Sequence, residues 1–144
     1  MRGLSVAAIV LGGVVDVLLS SGLGMLLVFQ AFYTRGFNHV PKEQLQGAIS
    51  SLMHGDAKLY VTQTAIGLGA SVIGGFVAAS IAKQRRLLNG VLASWLCIGI
   101  GIVSILRRDD ATPAAIHAAL IAATPICYLA GATIRLKLSR SVVA

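Results

Sequence analysis

The chain has 144 residues, of which 56% are hydrophobic and 12% charged, with a mean hydropathy of +0.84 and a formal charge of +7. A soluble domain of this size carries about 25% charged residues to cover its surface, so composition argues against a water-soluble globule and for a membrane protein. At roughly 20 apolar residues per crossing of a hydrocarbon core about 30 Å thick, the length allows about four crossings and leaves no room for a soluble catalytic domain.

The first apolar run extends from about Leu4 to Phe32 and ends at Tyr33-Thr34-Arg35-Gly36. It opens with Met1-Arg2 as a secretory signal would, but it is too long and lacks an Ala-x-Ala site before polar sequence, so a retained helix is expected. The following loop, about 33–58, contains Val40-Pro41-Lys42-Glu43, which reads as a helix start, and then Leu45, Ile49, Leu52 and Met53 on one face. That pattern predicts a short amphipathic helix lying in the headgroup region, weakened by Gly47 and ended by Gly55. His39 and His54 flank it and read as solvated loop histidines.

The second run covers about 59–82 and stops at Lys83-Gln84-Arg85-Arg86; the third covers 87–106 and closes at Arg107-Arg108-Asp109-Asp110. The fourth covers 113–134, beginning at Thr112-Pro113, where proline suits the first helical turn, and ending before Arg135, Lys137 and Arg140. Pro125 inside it predicts a kink near mid-helix. Outer-membrane strands would alternate in polarity over about ten residues, and no such alternation is present. The expected architecture is all-α: one transmembrane domain over 1–144, an integral membrane four-helix bundle with a short interfacial helix in its first loop.

Four crossings put the N-terminus, the loop between the second and third helices and the C-terminus on one side. That side carries Arg2, Lys83, Arg85, Arg86, Arg135, Lys137 and Arg140, against Arg35, Lys42, Lys58, Arg107 and Arg108 opposite. The bias predicts cytoplasmic termini, with Lys83, Arg85, Arg86, Arg135 and Lys137 meeting lipid headgroups. Nucleic acid is not an expected partner, since the charges are split into short clusters with no aromatic platform between them.

Helices associate in lipid through close backbone approach, which favours small residues at i and i+4. Gly67, Ser71, Gly75 and Ala79 form one such ridge on the second helix, with Ala70, Gly74, Ala78 and Ala82 beside it; Gly12, Asp16, Ser20 and Gly24 line up on the first. These faces pack the bundle itself or, for the doubled ridge, dock another chain.

Asp16 is the single ionisable residue deep inside a predicted crossing. A carboxylate there costs at least about 2.5 to 3.5 kcal/mol, so such residues face the bundle interior and often mark an ion path. Three roles stay open: a protonated group bonded to a neighbour as structural glue, proton or cation coupling, and pairing with a base on another chain. His117, Thr124 and Tyr128 share one face of the fourth helix and could line a polar path with it. Cys97 and Cys127 read as small packing residues, and no metal site, phosphate loop or catalytic motif is present, so neither cofactor nor enzymatic activity is expected.

Gly74-Gly75-Phe76-Val77-Ala78-Ala79-Ser80-Ile81-Ala82-Lys83, followed by Arg85-Arg86-Leu87-Leu88-Asn89-Gly90, resembles a loosely defined group of small bacterial four-helix membrane proteins of unknown function. Its members read Gly-Gly-aromatic-hydrophobic-Ala-Ala at the end of the second helix, then a basic turn, then a polar residue and glycine; an acid in the first helix is similar too. The resemblance implies a bacterial inner membrane and brings no activity or cofactor. The small multidrug transporters also have four helices and a first-helix acid. Here, however, the acid is Asp16 rather than glutamate, the first loop is longer, and the aromatic residues expected around a substrate are missing. The expected function is therefore a non-enzymatic packing or accessory component, a homo-oligomer or part of a larger membrane complex. The alternative is a small proton- or cation-coupled transporter or channel using Asp16.

Overall fold

The computed structural model describes residues 3–34, 41–44, 47–49, 51, 55–107 and 114–141. Five α-helices build it: α1 (Val6–Thr34), α2 (Ala57–Ile81), α3 (Arg86–Leu92), α4 (Trp95–Arg107) and α5 (Ala114–Ser141). Helices α3 and α4 follow one another as a single crossing, so four segments are long and apolar enough to span a membrane: Val6–Thr34, Ala57–Ile81, Arg86–Val103 and Ala115–Ser139. The chain is an all-α four-helix bundle, with no strand among the described residues.

Helix starts follow local chemistry. Ser5 precedes α1, and its hydroxyl oxygen accepts from the Ala8 N–H at 3.3 Å. Asp56 caps α2 by accepting from the Lys58 and Leu59 N–H groups at 2.8 and 3.4 Å, which satisfies donors that a helix start leaves unpaired. In the first loop Lys42–Gln44 forms a single 3₁₀ turn and residues 47–49 are helical. Leu45, Leu52 and Met53 of the expected apolar face, and His39 and His54, lie outside the described residues.

Two helix boundaries differ from the sequence expectation. The third crossing is broken at Ala93–Ser94 rather than continuous over 87–106. The cause is Ser94, whose N–H and hydroxyl both donate to the Val91 carbonyl, at 3.1 and 2.7 Å, drawing the chain into a tighter turn in competition with the regular helical bond. The fourth helix runs to Ser141 instead of stopping at 134. Arg135 and Lys137 are good helix formers and suit a C-terminal end, so charge marks where water begins and not where the helix ends. Helix α5 is continuous through Pro125.

The interior is made of small residues. Ala8, Ala70, Ala78, Ala79, Ala93 and Ala132 are buried, whereas Met25, Phe29 and Leu106 are 74%, 67% and 75% exposed. Large apolar side chains outside and alanine inside is the reverse of a soluble core and fits helices held by backbone proximity with their bulk turned to lipid. Helix α2 sits between α1 and α5, its principal neighbours. Adjacent glycines serve the two sides: a Cβ on Gly74 would lie 2.8 Å from the Gly12 carbonyl of α1, while one on Gly75 would collide with the Tyr128 carbonyl of α5. Gly131 of α5 likewise lies against the Val72 carbonyl. Gly90 of α3 meets Ala132, where a Cβ would come within 2.6 Å.

Asn89, fully buried at the start of the third crossing, ties one end together. Its Oδ1 accepts from the Ser5 N–H at 2.8 Å, and its Nδ2 faces the carbonyls of Gln84, Arg85 and Gly3 at 2.9, 3.1 and 3.3 Å. Arg85, in the turn so held, has φ 46°, the left-handed region that favours glycine or asparagine.

Candidate functional site

Asp16 lies ten residues, about 15 Å, into α1. Gly12 and Gly74 let α1 and α2 come close enough to bury it to 1% exposure, with Asp16 Cβ only 3.0 Å from the place a Gly74 Cβ would occupy. Two donors converge on the same carboxylate oxygen: Ser71 Oγ of α2 donates to Oδ2 at 2.9 Å and Cys97 Sγ of α4 donates at 3.0 Å. Cys97 also lies 3.8 Å from the Tyr128 hydroxyl of α5. Three crossings thus supply the carboxylate and its two donors, and the fourth closes over the thiol.

Asp16, Ser71 and Cys97 form one end of a cavity of about 310 Å³. Its wall continues through Ser20 of α1, Thr64 of α2 and Thr124 of α5. From the carboxylate, that direction is C-terminal along α1 but N-terminal along α2 and α5, so the cavity extends toward the end of the bundle bearing the first loop. Toward the other end the space is filled: Ala78, Ala93 and Tyr128 form a buried cluster, with Gly12 against Gly74 and Ala78. Toward the first loop the wall reaches Ser21, Thr64 and Leu120, and beyond it Ala31, Leu59 and Leu27 pack together between α1 and α2.

The wall is mainly apolar, and its polar atoms come chiefly from hydroxyl groups and the Asp16 carboxylate. Ser20 donates its hydroxyl hydrogen to Val17 O at 3.2 Å, Thr64 to Tyr60 O at 2.9 Å and Thr124 to Leu120 O at 2.9 Å. Ser71 gives its hydrogen to Asp16. Each of these hydroxyl oxygens retains lone pairs, and neither lysine nor arginine lines the cavity. The polar atoms of this mainly apolar surface suit a cation or a hydrogen-bond donor next to Asp16 and disfavour an anion.

The residues expected from sequence divide accordingly. Asp16, Ser20, Gly67, Ser71 and Thr124 line the cavity. Gly67 has nothing within 4 Å of a Cβ position, so it provides space there and no close helix contact. Tyr128 is fully buried beneath the cavity as part of its seal. His117, half-buried two turns toward the N-terminal end of α5 from Thr124, is not part of the wall. Gly12, Gly74, Gly75 and Ala79 are buried inside the bundle, and Gly24 leaves room for the Gln63 side chain. Of the basic residues, Lys83, Arg85 and Lys137 are exposed, whereas Arg135 donates to Ser80 Oγ at 3.0 Å and lies 6.0 Å over the Phe76 ring.

The sequence shows Cys97 only as a packing residue and Gln63, with Thr62 and Thr64, as a polar group in the outer third of its helix that could line a path with Asp16. Cys97 resembles a packing residue in its Ala93-Cys97-Gly101 stripe, and only the rotation of α4 brings its thiol to Asp16. Gln63 Oε1 is buried with no hydrogen-bond partner among the described residues, a condition worth about 1 to 3 kcal/mol. No group of three or more His, Cys, Asp or Glu among the described residues could hold a metal ion. Both cysteines are free thiols. No family model matches the chain, and comparison with curated proteins and with solved structures likewise finds no match.

Proposed function

We propose that this chain is a small non-enzymatic cation pathway, a channel or coupled transporter in which Asp16 takes up a proton or a monovalent cation. The observation that carries the reading is a cavity that ends on a buried carboxylate and extends from it toward one end of the bundle, with hydroxyls in its wall and neither lysine nor arginine. With cytoplasmic termini in a bacterial inner membrane, as the lysine and arginine bias and the sequence resemblance favour, the cavity extends from Asp16 in the outward direction, and a proton reaching Asp16 from that side would move down the usual gradient. Neutralising a carboxylate in hydrocarbon relieves a cost of a few kcal/mol, which gives loading of Asp16 the differential free energy a conformational change requires. An accessory role through the α2 ridge has less support, because Gly74, Gly75, Ala78 and Ala79 are covered by the chain's own α1 and α5.

The test is flux into proteoliposomes under an imposed potential, followed with an entrapped pH dye and, separately, with sodium and potassium indicators. Wild-type protein should carry one of these ions above the protein-free leak. Asp16→Asn, which keeps the shape and the hydrogen bonding of the group, should fall to the leak. Ser71→Ala should lower flux about tenfold, the equivalent of one lost hydrogen bond near 1.4 kcal/mol. Wild-type flux at the leak for all three ions, or full flux in Asp16→Asn, would remove the reading.

A further inference from the structure

At the end of the bundle away from the first loop, the turn between α2 and α3 borders a cleft of about 520 Å³ lined by Lys83, Arg85, Arg86, Leu87, Leu88 and Leu136. Three cations and three leucines share this one concavity, at the depth where crossing α2 ends at Ile81 and the next begins at Arg86. Leu87 and Leu88 are 39% and 43% exposed, so the apolar half is not closed by the protein. The acids among the described residues offer this cluster no partner nearby: Asp56 begins α2 at its far end, Glu43 precedes it, and Asp16 is buried within the bundle.

The charges are also held in position. Arg85 occupies a left-handed conformation that a glycine would adopt at less cost, and the buried Asn89 fixes that conformation by bonding to the Gln84 and Arg85 carbonyls. Arg86 is oriented by donation from Nε to Ala82 O at 3.2 Å. Arg135, at the same end, is committed instead to Ser80 and Phe76.

We infer that this cleft is a binding site for one anionic phospholipid, its phosphate between Lys83, Arg85 and Arg86 and an acyl chain along Leu87, Leu88 and Leu136. A phosphate and a hydrocarbon chain joined across the boundary of a membrane crossing are the chemistry of a phospholipid, and basic pockets between helices are suited to acidic headgroups. Lys83, Arg85 and Arg86 thus form a single site among the basic residues at this end, independent of whether Asp16 carries ions.

Native mass spectrometry of the full chain in mild detergent tests it, titrating phosphatidylglycerol, phosphatidylcholine of the same acyl chains, and inorganic phosphate. The first phosphatidylglycerol should bind at least about tenfold more tightly than phosphatidylcholine, a difference of about 1.4 kcal/mol, and inorganic phosphate should not displace it. Arg85→Gly removes one charge and eases the backbone, so it should fold at least as well as wild type while losing most of the preference. The Lys83→Gln/Arg86→Gln pair should do the same. Lys137→Gln, which removes an exposed cation outside the cleft, should leave the preference intact. Equal binding of the two lipids, displacement by inorganic phosphate, or an equal loss in Lys137→Gln and Arg85→Gly would overturn the site.

Discussion

Gly131→Ala is expected to cost about 3 kcal/mol or more, seen as a large drop in the thermal unfolding midpoint of the detergent-solubilised protein followed by circular dichroism. A Cβ at this position would run into the Val72 carbonyl and come within 2.8 Å of the Phe76 N–H nitrogen. Backbone atoms of a neighbouring helix cannot rotate aside as a side chain can, so α2 and α5 would have to separate along their length. Overpacking of a well-filled interior costs about 1 to 3 kcal/mol even where side chains can adjust. Gly75→Leu should be worse, because the added side chain would strike the Tyr128 carbonyl. Gly69→Ala is the control: nothing lies within 4 Å of its Cβ position, and its stability should stay within about 0.5 kcal/mol of wild type. If all three variants melt together with wild type, the α2–α5 packing described above is wrong.

Asn89→Ala should produce the second large loss, about 3 kcal/mol, and one confined to a single end of the bundle. The amide joins the backbone of Ser5 and Gly3 to that of Gln84 and Arg85 through four contacts of 2.8 to 3.3 Å. Truncation takes this partner from the Ser5 N–H and from the Gln84 and Gly3 carbonyls, while Arg85 O keeps its bond from the Asn89 N–H, and each buried group left unsatisfied costs about 1 to 3 kcal/mol. Hydrogen exchange separates this from global weakening. Amides at Ser5 and in the first turn of α1 should exchange much faster, while those around Asp16 keep their protection. Uniform acceleration along α1 would mean that the network does not act locally.

Most of the architecture was legible because hydrocarbon thickness imposes a length that no other feature of a small chain imitates. What hydropathy could not see were events at the scale of one hydrogen bond. Ser94 breaks the third crossing by giving Val91 O two donors, a contest between side chain and backbone that leaves the apolar pattern untouched. Small-residue spacing identified the faces of α2 but not their partners. Gly74 and Gly75 are successive residues, about 100° apart around the helix axis at 3.6 residues per turn, so one meets α1 and the other α5. The doubled ridge of α2 is thus two separate interfaces. Asp16 stood out because a lone carboxylate within an apolar run is costly, whereas its donors Ser71 and Cys97 were readable only as small side chains. Their chemistry emerges once three crossings are packed together.

The Asn89 contact also bears on how the protein is made. Its Oδ1 meets the Ser5 N–H across 84 positions of sequence, so the beginning of α1 leaves the ribosome long before the residue that will secure it. The α1–α2 contact through Gly12 and Gly74 can form once two crossings exist, but the end near Ser5 stays unlatched until the third has been threaded into the bilayer. A nascent chain stalled before Asn89 should therefore present an accessible first turn, and release beyond that residue should close it.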